Sequence, residues 1–151
     1  MKQLDSIEID SSQNTVQYGD ILFTTSSETP EEVGMSSICQ FNRPNLYLNS
    51  FCFGFRPTHK FDLNFMAYFL RAPYFRQNMV VLAQGISRFN ISKLKVLDLP
   101  ILLPTVAEQQ IIGEYFRNLD SLLYAKRQKL VKLRNIKQAC LDKMFVNTSD
   151  L

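Results

Sequence analysis

The alternation of apolar and polar residues predicts three short strands in the first third of the chain. An apolar run after Gly19 and Asp20 indicates a buried strand over residues 21–25. Residues 36–41 and 46–55 are predicted as the second and third strands, with turn-forming residues between them. Residues 1–15 precede these strands and are polar, and we predict that they form an irregular lead-in to the domain. This region favours a small, mostly antiparallel sheet.

A helical period replaces the strand pattern after residue 60. Phe61, Phe65 and Phe69 recur every four residues and define one apolar helix face. Asp62 is suited to cap the start of this helix, and Pro73 either ends it or opens the next one.

A second helix, an extended segment and a last strand complete the predicted domain. Residues 74–83 continue the helical pattern, and Gly85 is suited to end the helix. Residues 87–91 are predicted to be extended, and 97–103 to form a final strand whose proline places it at a sheet edge. Residues 16–104 are therefore predicted to fold as an α+β domain.

One long helix is predicted for the remainder of the chain. Thr105 and Glu108 match a capping box, in which each side chain bonds a free backbone amide of the other residue. Ten positions spaced alternately by four and three residues define a heptad seam typical of a coiled coil over residues 105–145, and eight are apolar. These eight positions are Ile112, Phe116, Leu119, Leu123, Leu130, Leu133, Cys140 and Met144.

Lys126 and Lys137 occupy the other two seam positions and leave two interpretations open. In the first, the helix lies on its own domain and the lysines extend to water. In the second, the helix pairs with another helix, from a second copy or another protein, and the lysines set the register. The second is favoured, because such a helix would be about 60 Å long, more than one small domain can cover.

The composition excludes most kinds of catalytic site. The chain of 151 residues fits one domain with an appendage, and it contains a single histidine, His59. Neither a glycine-rich phosphate loop nor a nucleophile elbow occurs in the sequence. We therefore predict no catalytic cluster, no metal site and no cofactor, which argues against an enzyme acting alone.

Cysteine usage and hydropathy point to a cellular compartment. Cys39, Cys52 and Cys140 are odd in number and lack the C-x-x-C spacing, so no disulfide framework is predicted. The sequence has no apolar stretch of about 18 residues and no signal-peptide pattern at its start. We expect a soluble cytoplasmic protein with reduced thiols and no membrane contact.

The net charge of +3 hides an uneven distribution. Residues 1–55 carry a net charge of −5, residues 56–104 carry +5 and residues 105–151 carry +3. A basic middle that is rich in Phe and Tyr is compatible with a phosphate-facing surface. An ordinary solvated face explains the same distribution equally well.

Several short segments are more specific as an ordered set than any of them is alone. They are GDIL at 19–22, AQGISRFNIS at 83–92, LP at 99–100 and 103–104, EQQIIG at 108–113, LD at 119–120 and KMF at 143–145. In this order they resemble the specificity subunit of type I restriction-modification systems. The resemblance covers residues 16–146 and is to the distal part of a target-recognition domain followed by the spacer helix.

This resemblance implies a partial target-recognition domain at 1–104, a spacer and dimerisation helix at 105–146 and a tail at 147–151. The subunit of that family does no chemistry. Its two recognition domains each read half of a split double-stranded DNA target, and its two antiparallel helices set the gap. Methylation subunits carry the adenine methyltransferase, and a restriction subunit carries the nuclease. One domain and one helix make at most half of such a subunit, and the usual proximal portion of the recognition domain is expected to be missing.

The resemblance also places two polar loops on the DNA-facing side. Base edges are matched by Arg, Asn, Gln, carboxylate and hydroxyl groups, whereas Lys and Arg bind phosphates. The base-reading candidates are Gln84, Ser87, Arg88, Asn90, Ser26, Ser27 and Glu28, and the phosphate candidates are Lys60, Arg71, Arg76, Lys93 and Lys95. Purely structural roles also fit: the hydroxyls can cap a turn, Asn90 can be a turn residue and Arg88 can belong to a surface salt bridge.

Three functional hypotheses follow. The first is a half-subunit that reads DNA, docks the methylation subunits and pairs as a homodimer through its helix. The second is a truncated assembly module or silent cassette that no longer reads DNA. An unrelated enzyme is the third and has the least support in the sequence.

Overall fold

The computed structural model describes residues 14–145, which form two compact units. The first unit extends to Gly113 and the second starts at Glu114. In the described residues the strands are β1 (Ile21–Thr24), β2 (Ser26–Ser27), β3 (Ser36–Ile38), β4 (Cys52–Phe55) and β5 (Phe89–Asn90). The helices are α1 (Leu63–Phe69), α2 (Pro73–Leu82), α3 (Lys93–Leu97) and α4 (Val106–Met144).

Strand β1 is the centre of a three-stranded antiparallel sheet, with β3 on one side and β4 on the other. Phe23 of β1 lies opposite Ser36 and Phe53. The rings of Phe23 and Phe53 stack with their centroids 5.5 Å apart. Met79 of α2 and Val33 are fully buried in the same core. The predicted α+β class with a small antiparallel sheet is therefore confirmed.

Local helix signals are also confirmed. The Asp62 carboxylate accepts a hydrogen bond from the amide of Phe65 at 2.8 Å, as expected of an N-cap. Pro73 opens α2 at its first position, which decides between its two predicted roles. At the start of α4, the Glu108 carboxylate accepts from the amide of Thr105 at 2.9 Å, and the Thr105 hydroxyl accepts from the amide of Glu108 at 3.4 Å. The predicted capping box and long helix are present.

Two predicted strands are shorter in the structure. The second ends at Ile38, and the third contains only Cys52–Phe55. A turn precedes the third strand, because the Asn49 side chain accepts from the amide of Phe51 at 2.7 Å and its carbonyl accepts from the amide of Cys52 at 3.1 Å. A side chain that bonds its own backbone in this way competes with strand pairing.

The predicted strand over residues 97–103 is wrong. Helix α3 ends at Leu97, and the amides of Asp98 and Leu99 still bond to carbonyls of that helix. Residues 98–105 that follow are irregular. Two prolines in this segment have no N–H to donate, and Leu102 is 93% exposed, so its apolar alternation covers no sheet. The predicted lead-in, apart from its last two residues, and the predicted tail at 147–151 lie outside the described residues.

The first two turns of α4 pack on the start of α1 within the first unit. The buried Gln109 side chain donates to the carbonyl of Pro104 at 2.9 Å and accepts from the amide of Asp62 at 3.0 Å. Gly113 lies against Asp62 and Phe65 so closely that a Cβ atom would overlap both residues. This contact ties the beginning of the long helix to the rest of the first unit.

Candidate nucleic-acid interface

The two polar loops that were singled out from the sequence are neighbours in the structure. Strand β2 pairs antiparallel with β5, which places Ser26 opposite Asn90 and Ser27 opposite Phe89. The amide of Ile91 continues the pairing by donating to the carbonyl of Thr25 at 3.0 Å. Residues from two distant parts of the chain therefore form one small ribbon.

Gln84 extends this ribbon on the other side of β5. The backbones of Gln84 and Asn90 exchange two hydrogen bonds, of 2.9 and 2.8 Å, and close a short loop between them. Asn90 thus lies between Ser26 and Gln84. We call Ser26, Ser27 and residues 84–90 the polar ridge.

The loop of the polar ridge requires glycine at position 85. Gly85 has a φ of 144°, which side-chain-bearing residues rarely adopt. A Cβ atom there would also overlap the carbonyl group of Arg88. This tight return leaves Ile86, Ser87 and Arg88 exposed at the end of the ridge. The prediction that Gly85 ends the second helix is wrong, because α2 ends at Leu82 and the glycine belongs to this loop.

Arg88 connects the two halves of the ridge. Its Nε donates to the Ser26 hydroxyl at 3.2 Å, and its terminal nitrogens form no hydrogen bond to the described residues. The Asn90 side chain donates to the carbonyl of Arg88 at 3.5 Å. The exposed Arg88 is therefore held through one guanidinium nitrogen, and its partner is a hydroxyl rather than a carboxylate.

The hydrogen bonds of Ser27 are to residues close to it in the sequence. The Ser27 hydroxyl accepts from the amide of Thr29 at 3.4 Å and donates to the Glu32 carboxylate at 3.3 Å. This is the turn-capping role that the sequence left open for hydroxyls in this loop. Glu28 is exposed.

The two arginines among the phosphate candidates bond to backbone carbonyls. Arg71 donates from Nε and Nη2 to the carbonyl of Ser36, at 3.1 and 2.7 Å. Arg76 donates to the carbonyls of Glu31, Val33 and Gly34 at 2.6 to 2.8 Å, and its burial lowers the pKa of its guanidinium. Arg71 therefore holds the first residue of β3 and Arg76 holds the segment before it, and phosphate binding by either one stays a prediction.

The three lysine candidates are exposed. Lys60 lies in the segment between β4 and α1, and Lys93 and Lys95 lie on α3. The ammonium of Lys93 is 5.5 Å from the centre of the Phe55 ring, which is a cation–π distance.

A profile of the type I restriction modification DNA specificity domain matches residues 2–135. The chain belongs to this family. No curated protein matches the chain at a significant level. Domains of this family are generally non-catalytic and confer DNA specificity on a restriction-modification system.

The specificity domain contains an ion pair that the sequence analysis missed. The buried Asp20 carboxylate accepts from Nε and Nη2 of Arg56 at 2.9 and 2.8 Å, and from the amide of Gln17 at 2.7 Å. The hydrogen bond from Arg56, more than any other contact, lowers the pKa of Asp20. No local signal connects residues 36 positions apart, so the linear pattern shows Asp20 only as part of a turn.

The eight seam residues of the specificity domain's long helix lie along α4 and are exposed in the single chain. Ile112 belongs to the first unit and the other seven belong to the second.

Within residues 14–145, no group of His, Cys, Asp and Glu side chains is arranged to hold a metal ion. In that same range no helix is long and apolar enough to cross a membrane.

Proposed function

We propose that this chain reads part of a split double-stranded DNA target through the polar ridge, as a specificity subunit or half-subunit of a type I restriction-modification complex. One observation carries the proposal. Two loops that are more than 55 residues apart, both rich in base-reading side chains, pair so that Ser26 lies beside Asn90 and is bonded to Arg88. The family membership supplies the DNA-specificity role.

The chemistry of the ridge matches the major groove. A two-stranded ribbon is narrow enough to enter that groove. The terminal nitrogens of Arg88, which form no hydrogen bond within residues 14–145, suit the two acceptors of guanine. The exposed amides of Gln84 and Asn90 suit adenine. Ser26 and Ser87 offer hydroxyls that serve as donors or acceptors, and Ser27 comes second because its hydroxyl already bonds within its own turn. Glu28, next to the ridge, is suited to the amino group of cytosine.

Phosphate contacts position the ridge on the duplex. We assign them first to Lys60, Lys93 and Lys95, because these ammonium groups are exposed. Arg71 and Arg76 come second, since their guanidinium groups already bond to carbonyls. The division is a recognition domain at 1–104 and a spacer helix at 105–146.

The helix pattern supports assembly with more than one neighbour. In the second unit, apolar residues also lie on both sides of the seam, so the apolar surface of the helix is wider than the seam alone. The flanking residues are Tyr115, Leu122, Tyr124, Ala125, Val131, Ile136, Ala139, Leu141 and Phe145. One helix partner covers a narrower stripe. We therefore propose a second copy of this chain on the seam and a methylation subunit on the flank.

In this assembly the chain has no catalytic role and needs no cofactor. The methylation subunits carry the adenine methyltransferase, the restriction subunit carries the nuclease, and the complex works in the cytoplasm. Two antiparallel copies create a true two-fold axis and therefore a palindromic split target.

Duplex selection from a random library, followed by affinity measurement, tests the DNA-reading role. Arg88→Ala is expected to weaken binding to the selected target by about 5- to 150-fold and to relax the preference at one base pair. Gln84→Ala should relax a different position. Affinity of the wild-type chain should fall steeply as salt concentration rises.

Arg43→Ala is the matched control, because it removes one exposed arginine that stacks on Phe41 outside the ridge. It should retain the target preference. Absence of any sequence preference in the wild-type chain, or equal losses for Arg88→Ala and Arg43→Ala, would contradict the proposal.

A second candidate function is an assembly module, either truncated or a silent cassette, that has lost DNA reading. The exposed apolar surface of α4 favours it, since helix pairing does not require the ridge. In that case Arg88→Ala and Gln84→Ala leave DNA binding unchanged, while self-association through the helix persists.

A further inference from the structure

Ile86 is the apolar residue at the end of the polar ridge, and its side chain is 98% exposed. Single exposed apolar side chains are ordinary on protein surfaces. The surroundings of Ile86 are not ordinary, because Gln84, Ser87, Arg88 and Asn90 around it are exposed polar side chains. The end of the ridge is therefore suited to bind a partner that has both polar groups and an apolar group within one small surface.

The loop backbone holds Ile86 outward. The paired backbones of Gln84 and Asn90 close the loop, and the positive φ of Gly85 directs the chain sharply at its start. Phe89, three residues later, is partly buried against the core, whereas Ile86 is left in water. A β-branched side chain is also stiff, which reduces the entropy lost when it makes a contact.

We propose that Ile86 recognises the methyl group of a thymine in the target. This inference rests on the proposed function of the ridge. In the major groove each base pair presents hydrogen-bonding groups, and thymine alone adds an apolar C5-methyl group. The polar neighbours of Ile86 match the hydrogen-bonding groups, and Ile86 matches the methyl group. Ile86 is thus a specificity-determining residue next to the base pairs that Arg88 and Asn90 contact.

Replacing thymine by uracil tests this directly, because uracil differs from thymine only by lacking that methyl group. The target is first selected with the full wild-type chain, and each thymine is then replaced in turn. One replacement is expected to weaken wild-type binding by about three- to fivefold, the size expected for one buried methyl group. Ile86→Ala should bind the thymine target with a similar loss and should show no further loss on the uracil target.

Leu102→Ala is the matched control. Leu102 is 93% exposed and, like Ile86, is absent from the hydrophobic core. This variant should keep wild-type affinity and wild-type sensitivity to uracil. Ile86→Val, which retains a branched apolar side chain, should keep most of the discrimination. Thermal unfolding should be the same for all three variants, so a loss of binding by Ile86→Ala is not a loss of fold.

The outcomes separate this inference from the function on which it rests. Sequence-specific binding that no uracil replacement weakens, or a selected target without thymine, overturns the role of Ile86 and leaves DNA reading intact. Undiminished sensitivity of Ile86→Ala to uracil does the same. A wild-type chain with no sequence preference overturns both.

Discussion

Charged residues in the specificity domain have partners that their sequence context does not reveal. Arg56 and Arg76 both belong to the basic middle of the chain. In the structure Arg56 binds the Asp20 carboxylate, and Arg76 binds three backbone carbonyls. A count of charges along the sequence treats the two arginines alike. It does not show their partners, because a guanidinium meets its partner only when distant segments of the chain come together.

The pair of Asp20 and Arg56 predicts a stability change that depends on pH. Asp20→Asn should lower the free energy of unfolding at pH 7 by about 1–2 kcal/mol, a value reduced because Arg56 is half exposed. The pKa of Asp20 is lowered in the folded chain, so its contribution is complete above the ordinary Asp pKa of about 3.9 and is lost as the pH falls through the lower folded value. Denaturant unfolding of both proteins between pH 7 and pH 3 measures the difference.

The control for this prediction is Asp98→Asn, which changes an exposed carboxylate after α3. It should cost far less at pH 7. An Asp20→Asn effect that does not shrink on acidification would contradict the role assigned to the ion pair.

At the scale of elements, the start of α4 is specified by local and distant contacts together. The capping box of Thr105 and Glu108 is local and was predictable from four consecutive residues. The contacts of Gln109 and Gly113 with the start of α1 depend on packing between two helices. In the sequence, Gly113 is the one glycine between residues 106 and 144, and a glycine inside a helix lowers its stability when no packing requires it.

Gly113→Ala is predicted to destabilise the chain, although the same change at an exposed helix position usually stabilises by up to about 1 kcal/mol. The added methyl group would overlap the Asp62 carboxylate and the amide of Phe65, which form the cap of α1. We expect a loss of about 1–3 kcal/mol in the free energy of unfolding, typical of overpacking. Thermal or denaturant unfolding measures it.

Glu114→Ala is the neighbouring control, since Glu114 is exposed on the next position of α4. Its effect should stay within about 0.5 kcal/mol. If Gly113→Ala stabilised the chain as much as helix propensity alone predicts, the close contact with α1 would be refuted.

At the scale of the whole molecule, α4 carries more apolar surface than the described chain covers. Leu119, Leu123 and Leu130 are exposed. One strip of the helix, by contrast, is polar at every seventh residue: Glu114, Ser121, Gln128, Asn135 and Asp142. A helix with a polar strip on one side and exposed leucines on the other is suited to assembly.

The double change Leu119→Lys and Leu130→Lys is predicted to abolish self-association. Each lysine would place an unpaired charge where a leucine otherwise contributes about 1.5–3 kcal/mol on burial. Light scattering over a concentration series should show a dimer for the wild-type chain at micromolar concentration and a monomer for the variant. Near-ultraviolet circular dichroism should show that the first unit is still folded.

Ser121→Lys with Gln128→Lys adds the same charge on the polar strip and should leave the dimer intact. A wild-type monomer would contradict pairing with a second copy. A dimer that survives both leucine changes would contradict the seam.

The sequence alone determined the features that depend on residues close together in the chain. The α+β class, the cap at Asp62 and the long helix from 106 to 144 were all predictable, whereas the sequence left two roles open for Pro73. Their signals lie within one helical turn or one alternating run, where backbone geometry and apolar periodicity act directly. The candidate loops of the ridge were also identified by their residue types.

Tertiary structure decided which distant residues meet. It joined Ser26 to Asn90, paired Asp20 with Arg56, bonded Arg76 to carbonyls and left residues 98–105 without a strand. A strand exists only if another strand accepts its hydrogen bonds, and the apolar run at 97–103 resembled a strand because local pattern carries no information on that partner. Pairing between remote segments depends on the packing of the whole domain, and for that reason the polar ridge became visible only in the folded chain.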